Sequence, residues 1–168
     1  MTFRRVFALL SLGATIGCAT QNAAPLGQSA ALQDRAVDIE LVSVDGEPFF
    51  LGDYRGSDVV VFLFATFDGV SQISARPLSE FARSHPETVV IGIAIQPNAK
   101  SFAGPWRDVV DPDFVVAYPA NETAALSGAT DLGHVEAVPT VLHIDPHGKL
   151  RNRHVGLVEP ASLKDFVK

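Results

Sequence analysis

The sequence predicts one α/β domain, with a mixed central sheet and helices on both of its faces. Two continuous apolar runs, DVVVFLFAT (58–66) and ETVVIGIAIQP (87–97), are rich in β-branched residues, as expected of strands that are covered on both faces. A segment with helical spacing of apolar residues follows each run, and this alternation is typical of the α/β class. The 168 residues, 47% hydrophobic and 19% charged, suffice for one globular domain preceded by a leader.

The segments around the first run predict two short strands and a helix. IELVSVDGEPFFLGDYRG (39–56) contains the strands, joined by a D-G turn. SQISARPLSEFARSHP (71–86) predicts a helix that ends at its H-P pair and turns three apolar residues toward the core. These residues are Ile73, Leu78 and Phe81.

The remaining segments continue the alternation. KSFAGPWRDVV (100–110) predicts a weaker helix that is interrupted by Gly104-Pro105 and leaves Trp106 half-buried. DFVVAYP predicts a short strand and ETAALSGA a short helix. AVPTVLHIDPHGKLRNRHVG (137–156) predicts a strand, a D-P-H-G turn and a returning strand, and EPASLKDFV predicts a closing helix.

The N-terminal residues predict an export signal. MTFRR supplies a positive start, and the apolar run VFALLSLGATIG ends at Cys18, the only cysteine of the chain. The run would span about 18 Å as a helix, which is too short for a hydrocarbon core of about 30 Å. The residues before Cys18 resemble a bacterial lipobox, although Thr15 stands where Leu is usual. A plain secretory signal that is cut further on is the alternative.

The chain is therefore expected to divide into three parts. Residues 1–18 form a signal peptide with a lipobox-like end, and lipid on Cys18 would anchor the protein to the membrane. Residues 19–36, rich in Ala, Gln and Ser, form a flexible tether, and residues 37–168 form the domain. The formal charge of −6 becomes more negative once the leader is removed, so we expect no nucleic-acid binding.

Three stretches of the domain carry a family resemblance. They are DGEPFFLGDYRG, VVVFLFATF and VPTVLHIDPHGKL, and they follow one another in the expected order. The domain thereby resembles the TlpA/ResA-like branch of thioredoxin-fold proteins, of the redoxin, AhpC/TSA-related family, which are exported and often membrane-tethered. The resemblance implies a thioredoxin-like fold. It also implies that Val138, Pro139 and Thr140 form the cis-proline loop that lines the substrate groove.

The sequence departs from that family where the reactive dithiol should stand. The four positions of the C-x-x-C motif read Asp68-Gly69-Val70-Ser71. Phe67 stands where the family usually has Trp, and Phe62 where many relatives have a buried polar residue that helps proton transfer. Because thiol–disulfide exchange needs a thiolate that attacks sulfur, we expect no dithiol activity, no catalytic residue and no cofactor.

The replaced positions leave two alternatives open. Asp68 either caps the following helix or makes an acidic contact in the old substrate groove. Ser71 would act as a nucleophile only with a base such as His134 within reach, and no oxyanion element is visible. The five histidines show no metal-ligand spacing, so no metal is expected, and His143 is interpreted as a partly buried, hydrogen-bonded residue.

The alternating basic residues Lys149, Arg151 and Arg153 are expected to protect a sheet edge from aggregation, with a docking patch for an acidic partner as the alternative. The chain as a whole is interpreted as an envelope lipoprotein that binds a protein or peptide in the groove. The alternatives are an oxidoreductase-type role in cell redox homeostasis and a purely structural lipoprotein. An open, apolar groove favours binding, whereas a groove filled by Phe67 and Val70 favours the structural role.

Overall fold

The computed structural model describes residues 36–167. The predicted signal peptide, Cys18 and all of the predicted tether before Ala36 lie outside the described residues. The described part contains seven strands, four α-helices and one 3-10 helix. In chain order they are β1 (Glu40–Ser43), β2 (Pro48–Phe50), the 3-10 helix (Leu51–Tyr54), β3 (Val59–Phe64), α1 (Gly69–Ser84), β4 (Val89–Ala94), α2 (Ala99–Val110), β5 (Val115–Pro119), α3 (Glu122–Ser127), β6 (Thr140–Ile144), β7 (Leu150–Val155) and α4 (Pro160–Phe166).

All seven strands form one mixed sheet in the order β2-β1-β5-β4-β3-β6-β7. β3, β4 and β5 are parallel to one another, whereas β6 runs antiparallel to β3, with Leu63 opposite Thr140. The end of β3 and the start of β6 therefore lie side by side at one end of the sheet. The turn that follows β3 and the loop that precedes β6 meet there.

Alternate residues of β3 enter two apolar clusters, one on each face of the sheet. Val60, Phe62 and Phe64 pack with residues of α1, α2 and α4 on one face. The other face packs the intervening residues of β3 against the 3-10 helix and the segment around Leu132. This period of two is what a strand buried on both faces requires. None of the described helices is long and apolar enough to cross a membrane.

The prediction that Ile73 faces the core is wrong. Leu78 and Phe81 of α1 are buried, but Ile73 is 65% exposed. At 3.6 residues per turn, Ile73 lies about 140° around the helix from Leu78. Ser71 and Ser74, which are fully buried, complete the inner face instead.

The predicted interruption of the second helix is also wrong, since α2 is continuous through Pro105. Pro105 is exposed, while Ala99, Ala103 and Trp106 pack against the sheet. The Trp106 ring lies 4.2 Å from that of Phe64, measured between centroids. This packing outweighs the local cost of a proline, and it buries Trp106 to 6% exposure, more deeply than predicted.

The three alternating basic residues lie at an edge of the sheet, because β7 is its terminal strand. Arg151 donates to Asp145 at 2.6 Å, and Arg153 donates to the Leu132 carbonyl at 3.1 Å. Lys149 also has a partner. The domain itself therefore uses these side chains, which favours the edge interpretation over a docking patch.

Candidate binding site at the end of the central strands

Asp68 is the N-cap residue of α1. Its backbone is extended, with φ −89° and ψ 119°, and its carboxylate Oδ2 accepts the Ser71 N–H at 2.7 Å. The same oxygen also accepts the Ser71 hydroxyl proton at 2.7 Å. A helix begins with N–H groups that have no partner inside the helix, and a carboxylate there satisfies one of them and complements the helix dipole. The predicted cap is confirmed.

Ser71 is not arranged as a nucleophile. Its side chain is fully buried, donates to Asp68 and accepts the Ala65 N–H at 3.4 Å. His134 is exposed, and within residues 36–167 it forms no hydrogen bond with Ser71 or Asp68. Because a serine nucleophile needs a base that takes its proton and access for the substrate, the structure does not support the Asp68/Ser71/His134 hydrolase.

Two glutamines, which the sequence analysis missed, hold the turn between β3 and α1. The N–H of Thr66 donates to Gln96 Oε1 at 2.6 Å, and its carbonyl accepts from Gln72 Nε2 at 3.2 Å. Gln96 is 4% exposed and lies just beyond β4. A polar residue directly after a buried parallel strand, at the same sheet end as the turn, was the signal that could have identified it.

The loop before β6 contains a cis peptide bond between Val138 and Pro139. The Pro139 carbonyl accepts the Gly156 N–H at 2.8 Å, and Thr140 Oγ1 donates to the Ala137 carbonyl at 2.7 Å. Thr140 is only 1% exposed and supports the loop from beneath. The expectation that Thr140 lines an open groove is therefore wrong. Val138 is half-buried, and its N–H and carbonyl form no hydrogen bond within the described residues.

Exposed apolar side chains lie at the end of the sheet where this loop and the turn meet. Phe67 is 76% exposed, Val70 41% and Ile73 65%. The segment after β7 brings Val155 and Leu157 to the same end, because the Val158 N–H donates to Ser74 Oγ of α1 at 3.2 Å. We call Phe67, Val70, Ile73, Val155 and Leu157 the apolar rim. Phe67 and Val70 do not close the site, which favours binding over a purely structural role.

The floor beneath the turn is apolar. Phe62 is fully buried and stacks on Phe64, with ring centroids 5.2 Å apart. Phe114 packs against it edge-on at 6.2 Å. The side chain of Phe62 carries no group that could exchange a proton with the turn, as the sequence analysis predicted from a Phe at this position.

His143 lies at the other end of the sheet and does not belong to this site. It is 4% exposed, and its Nε2 lies 2.7 Å from Asp58 Oδ1, whereas its buried Nδ1 has no partner. His143 was expected to be hydrogen-bonded, and only one of its two ring nitrogens has a partner. In the part of the chain that the structure describes, no group of three or more His, Cys, Asp or Glu residues is placed to hold a metal ion.

The displaced pKa values also belong to residues away from the site. Burial acts to raise the pKa of Asp145, but hydrogen bonds from the Lys149 N–H, Arg151 and the His147 N–H outweigh it, and the pKa lies below its ordinary value. The hydrogen bond that the half-buried Arg107 donates to Asp45 raises the pKa of its guanidinium.

The sheet order, the turn that opens α1 and the cis-proline loop define a thioredoxin-like fold. Residues 19–166 match the redoxin family, and the chain belongs to that family. The fold superposes on a putative thiol:disulfide interchange protein DsbE from Chlorobium tepidum with a TM-score of 0.66. Identity is 26%, and the match covers 80% of this chain and 94% of that chain.

Two further solved structures share the fold at lower identity. An exposed lipoprotein thioredoxin, Etrx1, from Streptococcus pneumoniae gives a TM-score of 0.65 at 23% identity, covering 77% of this chain and 97% of that chain. A secreted disulfide oxidoreductase from Mycobacterium tuberculosis gives 0.64 at 16% identity, covering 81% and 95%. No curated protein sequence matches the chain.

Proposed function

We propose that this redoxin-family protein binds an extended protein or peptide segment in the cell envelope and performs no dithiol chemistry. The observation that carries the proposal is the exposed apolar rim around a turn that has no sulfur. Solvent-exposed Phe and Ile side chains gathered at one place lower solubility and are typical of interaction sites. The unpaired main-chain groups of Val138 add a donor and an acceptor that an extended segment can use.

The chemistry of the turn supports binding over redox exchange. Exchange requires a thiolate at the start of α1 and a second thiol to resolve the mixed disulfide. Asp68 and Ser71 occupy these positions and satisfy each other at 2.7 Å. The oxidoreductase-type alternative rests on the similarity to the C. tepidum and M. tuberculosis proteins, and it would require this chain to work through a partner's cysteines.

The envelope location rests on the N-terminal sequence. A positive start, an apolar run and Cys18 after a lipobox-like stretch support export and lipidation. The name of the S. pneumoniae neighbour, an exposed lipoprotein, is consistent with that location. Equal partitioning of wild type and Cys18→Ala in a detergent phase-separation assay would contradict lipid anchoring.

The proposal is tested by photo-crosslinking in intact envelopes, with a crosslinking residue in place of Ile73. Adducts of defined mass are expected in an otherwise wild-type chain and should be lost with Phe67→Ser. The matched control is Phe102→Ser, because Phe102 is also exposed (51%) but lies on α2. Loss of adducts in both variants, or in neither, would contradict a role for the apolar rim. The purified Cys18→Ser variant should show no insulin-reducing turnover.

A further inference from the structure

The charged residues at the site end of the sheet indicate which chemistry the bound segment has. Three segments form this end: the turn with the start of α1 (65–75), the approach to the cis-proline loop (130–140) and the residues from the end of β7 to the start of α4 (154–160). They contain no Lys or Arg, and the two cations that adjoin them already have partners: Arg76 pairs with Glu80, and Arg153 donates to the Leu132 carbonyl. Their carboxylates are Asp68, Asp131, Glu136 and Glu159.

Two of these carboxylates are available to a partner. Asp68 uses only Oδ2 for the cap; Oδ1 receives no hydrogen bond from the described residues and is not buried. Glu136 is exposed, forms no ion pair or hydrogen bond within residues 36–167, and lies two residues before Val138. Asp131 and Glu159 have partners within the domain.

We propose that the segment bound at the apolar rim is itself apolar and carries Lys or Arg side chains that pair with Asp68 and Glu136. This inference rests on the proposed function and specifies its partner. Apolar residues of the segment would cover Phe67, Val70 and Ile73, while cationic side chains would reach the carboxylates beside the loop. An acidic segment, or a surface of anionic lipid, would be repelled by the like charges of Asp68 and Glu136.

The size of the charge effect follows from exposure. Glu136 is exposed and Asp68 is only half-buried, so each ion pair changes affinity by no more than about five-fold. The apolar contacts provide the larger part of binding, and the charges select among apolar segments. Selection by like-charge exclusion is a common source of specificity.

The experiment measures binding of three fluorescein-labelled peptides by anisotropy, with the full chain as purified. In the first, nine residues long, Val alternates with Lys; in the other two, Gln or Glu replaces Lys. The wild type is expected to bind the Lys peptide several-fold tighter than the Gln peptide and the Glu peptide most weakly. Raising the salt to about 0.5 M should reduce the advantage of the Lys peptide.

The variants assign the effect to these carboxylates. Asp68→Asn keeps a good N-cap, and it should weaken the Lys peptide by up to about five-fold while leaving the Gln peptide unchanged. Glu136→Gln should act alike. The control Glu87→Gln removes the same charge from an exposed position beyond the C-terminal end of α1 and should change neither affinity.

The outcomes separate the two proposals. Equal affinity of the wild type for the Lys and Gln peptides would overturn the selection of basic segments and leave the binding role standing. A Lys preference that survives both Asp68→Asn and Glu136→Gln would overturn the assignment to these carboxylates. If none of the three peptides binds, the proposed function fails, and this inference fails with it.

Discussion

The two ends of strand β6 are built differently. Beyond its C-terminal end, the buried carboxylate of Asp145 accepts the His147 N–H at 2.9 Å, the Lys149 N–H at 2.8 Å and Arg151 Nε at 2.6 Å. Before its N-terminal end, Val138 has no main-chain partner within the described residues, and the rim around it exposes Phe67. One end uses its polar groups internally, and the other leaves polar and apolar groups open to solvent.

This difference separates stability from function. A domain that had lost a redox site without acquiring another use could have replaced the exposed Phe67 and Ile73 with polar residues at no cost to its core. The two hydrogen bonds that Ser71 donates to Asp68 show that the polar groups inside the turn have partners without sulfur. Substitutions beyond the C-terminal end of β6 should therefore act on stability, and substitutions at the apolar rim should act on binding.

Among substitutions of polar residues, the largest effect on stability is expected for Asp145→Ala. It removes the acceptor of three hydrogen bonds and should lower the free energy of unfolding by about 2–3 kcal/mol, because bonds to a charged group are strong and the carboxylate is buried. The melting temperature should fall by roughly 6–12 °C. Glu87→Ala, at an exposed position, serves as the control and should melt like the wild type.

The contribution of Asp145 to the stability of the domain should depend on pH. Its folded-state pKa is lowered, so its contribution is present above the unfolded-state pKa of about 3.9 and is lost as the pH falls through the lower folded-state value. The stability difference between wild type and Asp145→Asn should therefore shrink below about pH 4. A difference that stays constant from pH 7 to pH 3 would show that the ionised carboxylate is not the stabilising form.

A smaller effect is expected at Asp68. Asp68→Ala removes the N-cap and should cost about 1 kcal/mol, or roughly 2–5 °C in melting temperature, whereas Asp68→Asn and Asp68→Ser should be nearly neutral because both residues cap well. Thermal melts of the three variants check this. If Asp68→Asn melts as low as Asp68→Ala, the negative charge at the helix start, and not the hydrogen bond, is what stabilises the turn.

The sequence predicted β3 and β4 well because their apolar runs are long and buried on both faces. It also offered the cap at Asp68 as one of two alternatives, since an Asp before a helical segment is a common N-cap. It failed at Ile73 and across Gly104-Pro105, where packing against the sheet decides which face is buried and whether the helix continues. The role of Gln96 was missed although its position after a buried strand was a signal, because the contact also depends on two parallel strands ending side by side.

His143→Leu should change stability by less than about 1 kcal/mol. The substitution loses the hydrogen bond to Asp58, whose side chain is 37% exposed and can be hydrated instead. It also removes Nδ1, a buried atom without a partner, and the two effects oppose each other. Urea unfolding would measure the difference. A loss above about 2 kcal/mol would mean that the pair with Asp58 stabilises the sheet more than its geometry indicates.

The smallest effect on stability is expected for Phe67→Ser. Phe67 is 76% exposed and belongs to neither apolar cluster, so its replacement should stay within about 0.5 kcal/mol of the wild type. Phe62→Ala, five residues earlier in the chain, should cost about 3–5 kcal/mol, because Phe62 is fully buried against Phe64. Urea unfolding of both variants would measure the contrast between floor and rim. A loss above about 1 kcal/mol for Phe67→Ser would show that the ring packs against the domain in solution, and the site would then be closed and not open to a partner.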